Sequence, residues 1–168
     1  MGSYSKIKIW AKGTLFNTNR EVYLPYEDMD TPSCKWKNPT FLIDFFRNKI
    51  GFTVWSETPI KELSERDCRE FLALLIQAQL ILIDNKIDIR SLWDDLSFIE
   101  NDESGSEKIS NITKQIYSLF NLENSEDNKL EFDIMDIDAN YEYFMWLIKT
   151  IDILHEENID FYITLQFD

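Results

Sequence analysis

Phe161-Tyr162-Ile163-Thr164-Leu165-Gln166-Phe167 alternates between two faces, with Phe161, Ile163, Leu165 and Phe167 on the apolar one. That period of two predicts a strand with one side on a core. Upstream, Leu130, Phe132 and Ile134 alternate with Glu131 and Asp133 and read as a second strand. Between them Tyr141, Phe144, Met145, Ile148 and Ile151 recur at helical spacing, and Asp138 stands where it can cap that helix. Strand, long helix, strand predicts a right-handed crossover between parallel strands, or an antiparallel arrangement where other strands intervene.

Working outward, Lys6-Ile7-Lys8-Ile9-Trp10 alternates strictly and predicts a strand with one wet face. Gly13 allows a turn, after which Thr14–Phe16 or Glu21–Leu24 returns as its neighbour. Residues 25–39 carry three prolines and no period, so they read as irregular. Thr40 opens a helix with Phe41, Leu42, Phe45, Phe46 and Ile50 on one side, ended by Gly51, and Phe52–Trp55 reads as a short strand. Ser64 with Asp67 resembles a capping box for a helix to Asp84 that is apolar nearly all round after Phe71, hence central. Asp88 caps a helix presenting Ile89, Leu92, Trp93 and Leu96, and residues 107–120 repeat Ile109, Ile112, Ile116 and Leu119. Two acidic loops, 100–106 and 123–128, separate these elements. The fold expected is α+β, a small mixed sheet with four to five helices in one domain spanning residues 1–168.

Composition supports a folded unit. At 44% hydrophobic and 14% aromatic the chain is too apolar for disorder, and 168 residues suffice for one large core. Four glycines leave little material for phosphate loops or long linkers. Abundant Ile and Asn with scarce Ala is the bias of an AT-rich, microbial coding sequence. Two cysteines, Cys34 and Cys68, fit a reducing cytoplasm. Met1–Lys6 has no apolar core, so no signal peptide is expected. The longest apolar run, Phe71–Ile83, is interrupted by Gln77 and Gln79 and is too short to span a bilayer.

No motif commits the chain to catalysis, a metal or a cofactor. Asp136, Asp138 and Asn140 match the first ligands of a calcium loop, but Tyr141 stands where that loop needs Gly and Leu147 where it needs Glu. His155, the single histidine, could pair with Cys34 or Cys68, yet it sits in the last turn of its helix, where the dipole favours a cation. Asp133, Asp136 and Asp138 gather at one strand end without the basic residues that phosphate chemistry needs. Lys6, Lys8 and Lys12 around Trp10 invite a nucleic-acid reading, but three lysines on a solvated strand more often protect a sheet edge. Trp36, between Lys35 and Lys37, is a candidate exposed anchor.

Charge is the remaining lead. Residues 1–70 hold 11 Lys/Arg and 10 Asp/Glu (+1), residues 71–168 hold 6 and 21 (−15), and together they give the net −14. Such a field repels nucleic acid and steers basic proteins inward. In size, acidity and lack of catalytic motifs the chain resembles the small immunity proteins that neutralise toxins of contact-dependent inhibition and other polymorphic toxin systems. The resemblance implies a cytoplasmic, non-enzymatic antitoxin without cofactor or metal. It would bind a cognate basic toxin, a nuclease by preference, and neither nucleic acid nor membrane. The exposed acids predicted to form its partner-binding surface are Asp94, Asp95, Glu100, Asp102, Glu103, Glu123, Glu126 and Asp127, with Trp93 as aromatic anchor. Strand 161–167, if an edge, could add a partner strand. The alternatives are a nucleic-acid mimic of anti-restriction or anti-CRISPR type, which needs a continuous acidic stripe, and a small enzyme, which needs a pocket gathering Asp133, Asp136 and Asp138 or His155.

Overall fold

Alternation at the two ends of the chain builds the sheet. A computed structural model describes residues 5–13, 19–22, 35–36, 40–51, 60–86, 103–121 and 130–167. Its strands are β1 (Ser5–Ala11), β2 (Arg20–Val22), β3 (Lys35–Trp36), β4 (Ile60–Leu63) and β5 (Phe161–Phe167). Among the described residues there are four helices: α1 (Thr40–Ile50), α2 (Glu65–Asp84), α3 (Glu103–Leu119) and α4 (Leu130–Glu156). The class is α+β. Strand order is β2-β1-β5-β4, with β3 also on β1, and every described pairing is antiparallel.

The sheet therefore differs from the mixed one expected. Leu130–Ile134 is not a strand but the first turn and more of α4, a helix of 27 residues. Alternation over five residues fits either period, and no Gly or Pro between 130 and 156 interrupts the helix that follows. Asp138 accordingly lies inside α4, not at its N-terminus. Without that strand the described residues contain no parallel crossover, and β5 returns antiparallel to both neighbours. β5 is interior, so it offers no free edge, and β1, flanked by β5 on one side and by β2 and β3 on the other, is no edge for its lysines to protect.

Register sorts the side chains. Ile7 faces Leu165, while Ile9 and Leu63 both face Ile163, and all five are buried on the side where the helices pack. Tyr143 of α4 fixes that packing by donating its hydroxyl to the Ile7 carbonyl at 2.8 Å. The opposite face carries Lys8, Trp10, Tyr162 and Thr164; Trp10 Nε1 donates to Thr164 Oγ1 at 2.9 Å, and its ring stacks on Tyr162 with centroids 6.2 Å apart.

In the helical layer α2 touches α1, α3 and α4. Its hub is Phe71, fully buried, with centroids 4.7 Å from Phe144, 5.0 Å from Phe45, 5.6 Å from Phe46 and 5.7 Å from Phe120. Burial follows one face only: Cys68, Phe71, Leu72, Leu75, Ala78 and Leu82 are inside. Ile76, Leu80 and Ile83 are 40%, 53% and 65% exposed, so a helix apolar nearly all round is central yet leaves one apolar face uncovered by the described residues.

Helix ends bear out two signals and revise a third. Ser64 Oγ accepts from the Asp67 amide at 3.1 Å at the start of α2, and Gly51, at φ +78°, closes α1. Elsewhere the scarce glycine is replaced by Lys86, Asn121 and Asn158, all at positive φ after α2, α3 and α4. Helix α3 starts at Glu103, so the acidic loop expected at 100–106 is partly helical. The short strand at 52–55, the helix after Asp88 and the loop at 123–128 lie outside the described residues.

Candidate functional site

The turn that leaves β4 and the turn that enters β5 meet side by side, because Leu63 pairs with Ile163 and Glu62 with Thr164. The first turn delivers Ser64 as cap and Glu65 in the first turn of α2. The second turn follows His155 near the end of α4 and runs through Ile159 and Asp160 into Phe161. The Lys12 amide holds it by donating to the Asp160 carbonyl at 2.8 Å. Between the turns lies a cleft of about 330 Å³ lined by Glu62, Leu63, Ser64, Glu65, His155, Ile159, Asp160, Phe161, Tyr162 and Ile163. That is at the small end of ligand-site volumes, roughly 300–1,000 Å³.

Glu65 and His155 form one wall, held by a chain of charged groups that continues to Arg69 and Asp152. His155 Nε2 lies 2.8 Å and 3.0 Å from the two Glu65 carboxylate oxygens. Arg69 donates from Nε and Nη2 to Glu65 Oε1 at 3.2 Å and 2.9 Å, and from Nη2 to Asp152 Oδ1 at 2.5 Å. Partial burial of Glu65 works to raise its carboxyl pKa, but the hydrogen bonds and positive charge of Arg69 and His155 outweigh this and hold it below the ordinary value of 4.5. Glu65 is therefore a fixed anion. The His155 ring also packs edge-on against Phe161, centroids 5.2 Å apart.

The other wall and rim are acidic and unneutralised. Glu62 and Asp160 are exposed, and neither has an ion-pair partner among the described residues. Glu156 and Glu157 stand exposed just beyond His155, at the negative end of the α4 dipole. The apolar surface that solvent reaches in the cleft belongs to Ile159, 39% exposed, and the half-buried Phe161, while Leu63 and Ile163 back it from the core and are nearly fully buried. The arrangement suits a cationic group with an aliphatic stem.

No protein family, curated protein or solved structure matches the chain. Its own residues carry the reading.

Of the acids expected to form the partner surface, Asp94, Asp95, Glu100, Asp102, Glu123, Glu126 and Asp127 lie outside the described residues, as does Trp93. Glu103 opens α3, and its side chain lies outside them too. Asp133, Asp136 and Asp138 sit on the first half of α4, with Asp138 about 25 Å along the axis from His155, so the cleft does not gather them. Asn140, third in the calcium-like run, is fully buried in that helix. Among the described residues no three His, Cys, Asp or Glu cluster as metal ligands. Cys68 is fully buried, and burial first, then Asp67 and Glu65, pushes its thiol far up, so it brings no thiolate to His155. Cys34 lies outside the described residues. No helix of the described residues is long and apolar enough to cross a membrane.

Proposed function

We propose that the chain is an immunity-type inhibitor that binds a basic protein toxin in the cytoplasm, without cofactor, and that the cleft between β4, α2 and α4 receives a basic side chain of that toxin. The observation behind this reading is the union of an acidic rim, Glu62 and Asp160, with the exposed aliphatic side chain of Ile159. A lysine or arginine stem covers apolar surface while its head group stays among carboxylates. Acids beyond the rim add steering, with association rates up to roughly 10⁸–10⁹ M⁻¹s⁻¹.

A compact acidic cleft that also holds Ile159 favours an inhibitor of one partner over a nucleic-acid mimic, whose carboxylates must run as a stripe. Toxin nucleases are basic because they hold phosphate, so an acidic inhibitor suits them in particular. The deciding experiment is co-expression with the product of a toxin-like gene adjacent to this one. Cells protected by the wild type and killed when Glu62→Lys and Asp160→Lys are combined support the reading, whereas killing despite the wild type rejects it.

One observation favours a second reading. His155 and Glu65 form a hydrogen-bonded pair lining a cleft, the geometry of an oriented general base. Turnover of a small substrate that is lost in His155→Gln and retained in Glu62→Lys would replace the inhibitor with an enzyme.

A further inference from the structure

Strand β5 outruns β4 at its amino-terminal end. The ladder between them covers Ile163 to Gln166, and the chain leaves it at Ser64 to enter α2. On the other side the Lys12 amide donates to the Asp160 carbonyl, which makes Ala11 and Phe161 a non-hydrogen-bonded pair. Phe161 therefore turns its own N–H and C=O away from β1 and into the cleft, which it lines. Neither group has a hydrogen-bond partner there among the described residues. β5 is interior where β4 flanks it, and at Phe161 it presents one unused rung.

The surroundings of the rung select what completes it. Beyond Phe161 the chain runs back through Asp160 and Ile159 to Glu157 and Glu156, all exposed. None of these three acids has an ion-pair partner among the described residues. Phe161 faces the helices, Asp160 has the opposite parity, and Ile159 lies exposed after it. Ser64, extended at φ −82° and ψ 146°, continues the register opposite Tyr162 and closes the other direction. Building on the reading of a basic protein partner, we propose that this partner docks by adding an extended segment at Phe161. The Phe161 amide donates to a carbonyl of the segment, and the Phe161 carbonyl accepts from an amide of the same residue. The segment then runs outward with apolar and basic residues alternating, a basic one beside Asp160 and an apolar one on Ile159. This is strand addition held to one rung, with charge complementarity choosing the strand.

An NMR titration of the isotope-labelled full chain with the peptide acetyl-Val-Lys-Val-Lys-amide tests the proposal. The Phe161 amide proton should move downfield as the peptide saturates the cleft. Methylating the nitrogen of the first valine removes the donor to the Phe161 carbonyl and should weaken binding by about tenfold. Asp160→Asn should weaken it by about threefold, and acetyl-Val-Glu-Val-Glu-amide should not bind. Asp160 is exposed, so the variant should give the amide spectrum of the folded wild type outside the cleft. Equal binding of the methylated peptide, or shifts around Asp160 that leave the Phe161 amide unmoved, overturns the rung and leaves the acidic cleft as a site for a basic side chain alone. A peptide that shifts no cleft amide overturns the rung too, while protection in co-expression decides separately whether a toxin is bound.

Discussion

His155 Nε2 lies within 2.8 Å of a Glu65 carboxylate oxygen across 90 residues of sequence, joining the end of α4 to the start of α2. Glu65 also holds Arg69, and Arg69 holds Asp152, so Glu65 is the centre of a network of four side chains.

Glu65 should leave a signature in acid. Its folded pKa is depressed, so the stability it contributes is present above the unfolded value, near 4.5, and is lost as pH falls through the folded pKa. Chemical denaturation from pH 6 to 2 should show Glu65→Gln losing less stability than the wild type below about pH 4.5. The difference should stay under about 1 kcal/mol, because the partners are partly solvated. Parallel curves for the two proteins would remove Glu65 from this role.

Phe71→Ala should cost about 3–5 kcal/mol, because its ring meets four others in the core. Urea titration measures this directly. A loss under 1 kcal/mol would mean that the ring cluster is not the centre of the helical layer.

Asn140 is fully buried, and neither its Nδ2 nor its Oδ1 has a hydrogen-bond partner among the described residues. Replacing it with Leu, of similar size, removes an uncompensated amide and should raise stability by about 1–3 kcal/mol. A destabilised Asn140→Leu protein would show that the amide is satisfied in solution.

Cys68 should resist thiol reagents in the folded protein, since burial disfavours its thiolate. Mass spectrometry after iodoacetamide treatment at pH 8 should find it unmodified until denaturant is added. Rapid native labelling would contradict the packing of α2.

The parts of this fold legible in sequence were those set by local chemistry. Strand β5, the β1 alternation, the Ser64 cap and the Gly51 stop all depend on neighbours within one element. Leu130–Ile134 misled because five alternating residues satisfy a strand and a helix alike. The exposed face of α2 was hidden because Ile76, Leu80 and Ile83 are as apolar as their buried neighbours, and only packing decides which face is covered. The cleft was invisible for another reason. Placing Glu65 in a first turn and His155 in a last turn was readable, but their meeting requires antiparallel packing of α2 on α4. In sequence Glu62 and Asp160 are two carboxylates among many, and only the pairing of β4 with β5 brings them to one cleft with Ile159.

The most direct test of the acidic cleft is the affinity of the chain for the basic product of an adjacent toxin-like gene, titrated calorimetrically across salt concentration. The cleft predicts binding that weakens steadily as salt rises and collapses, with a flatter salt dependence, when Glu62→Lys and Asp160→Lys are combined. Binding that ignores both salt and that double substitution would contradict it.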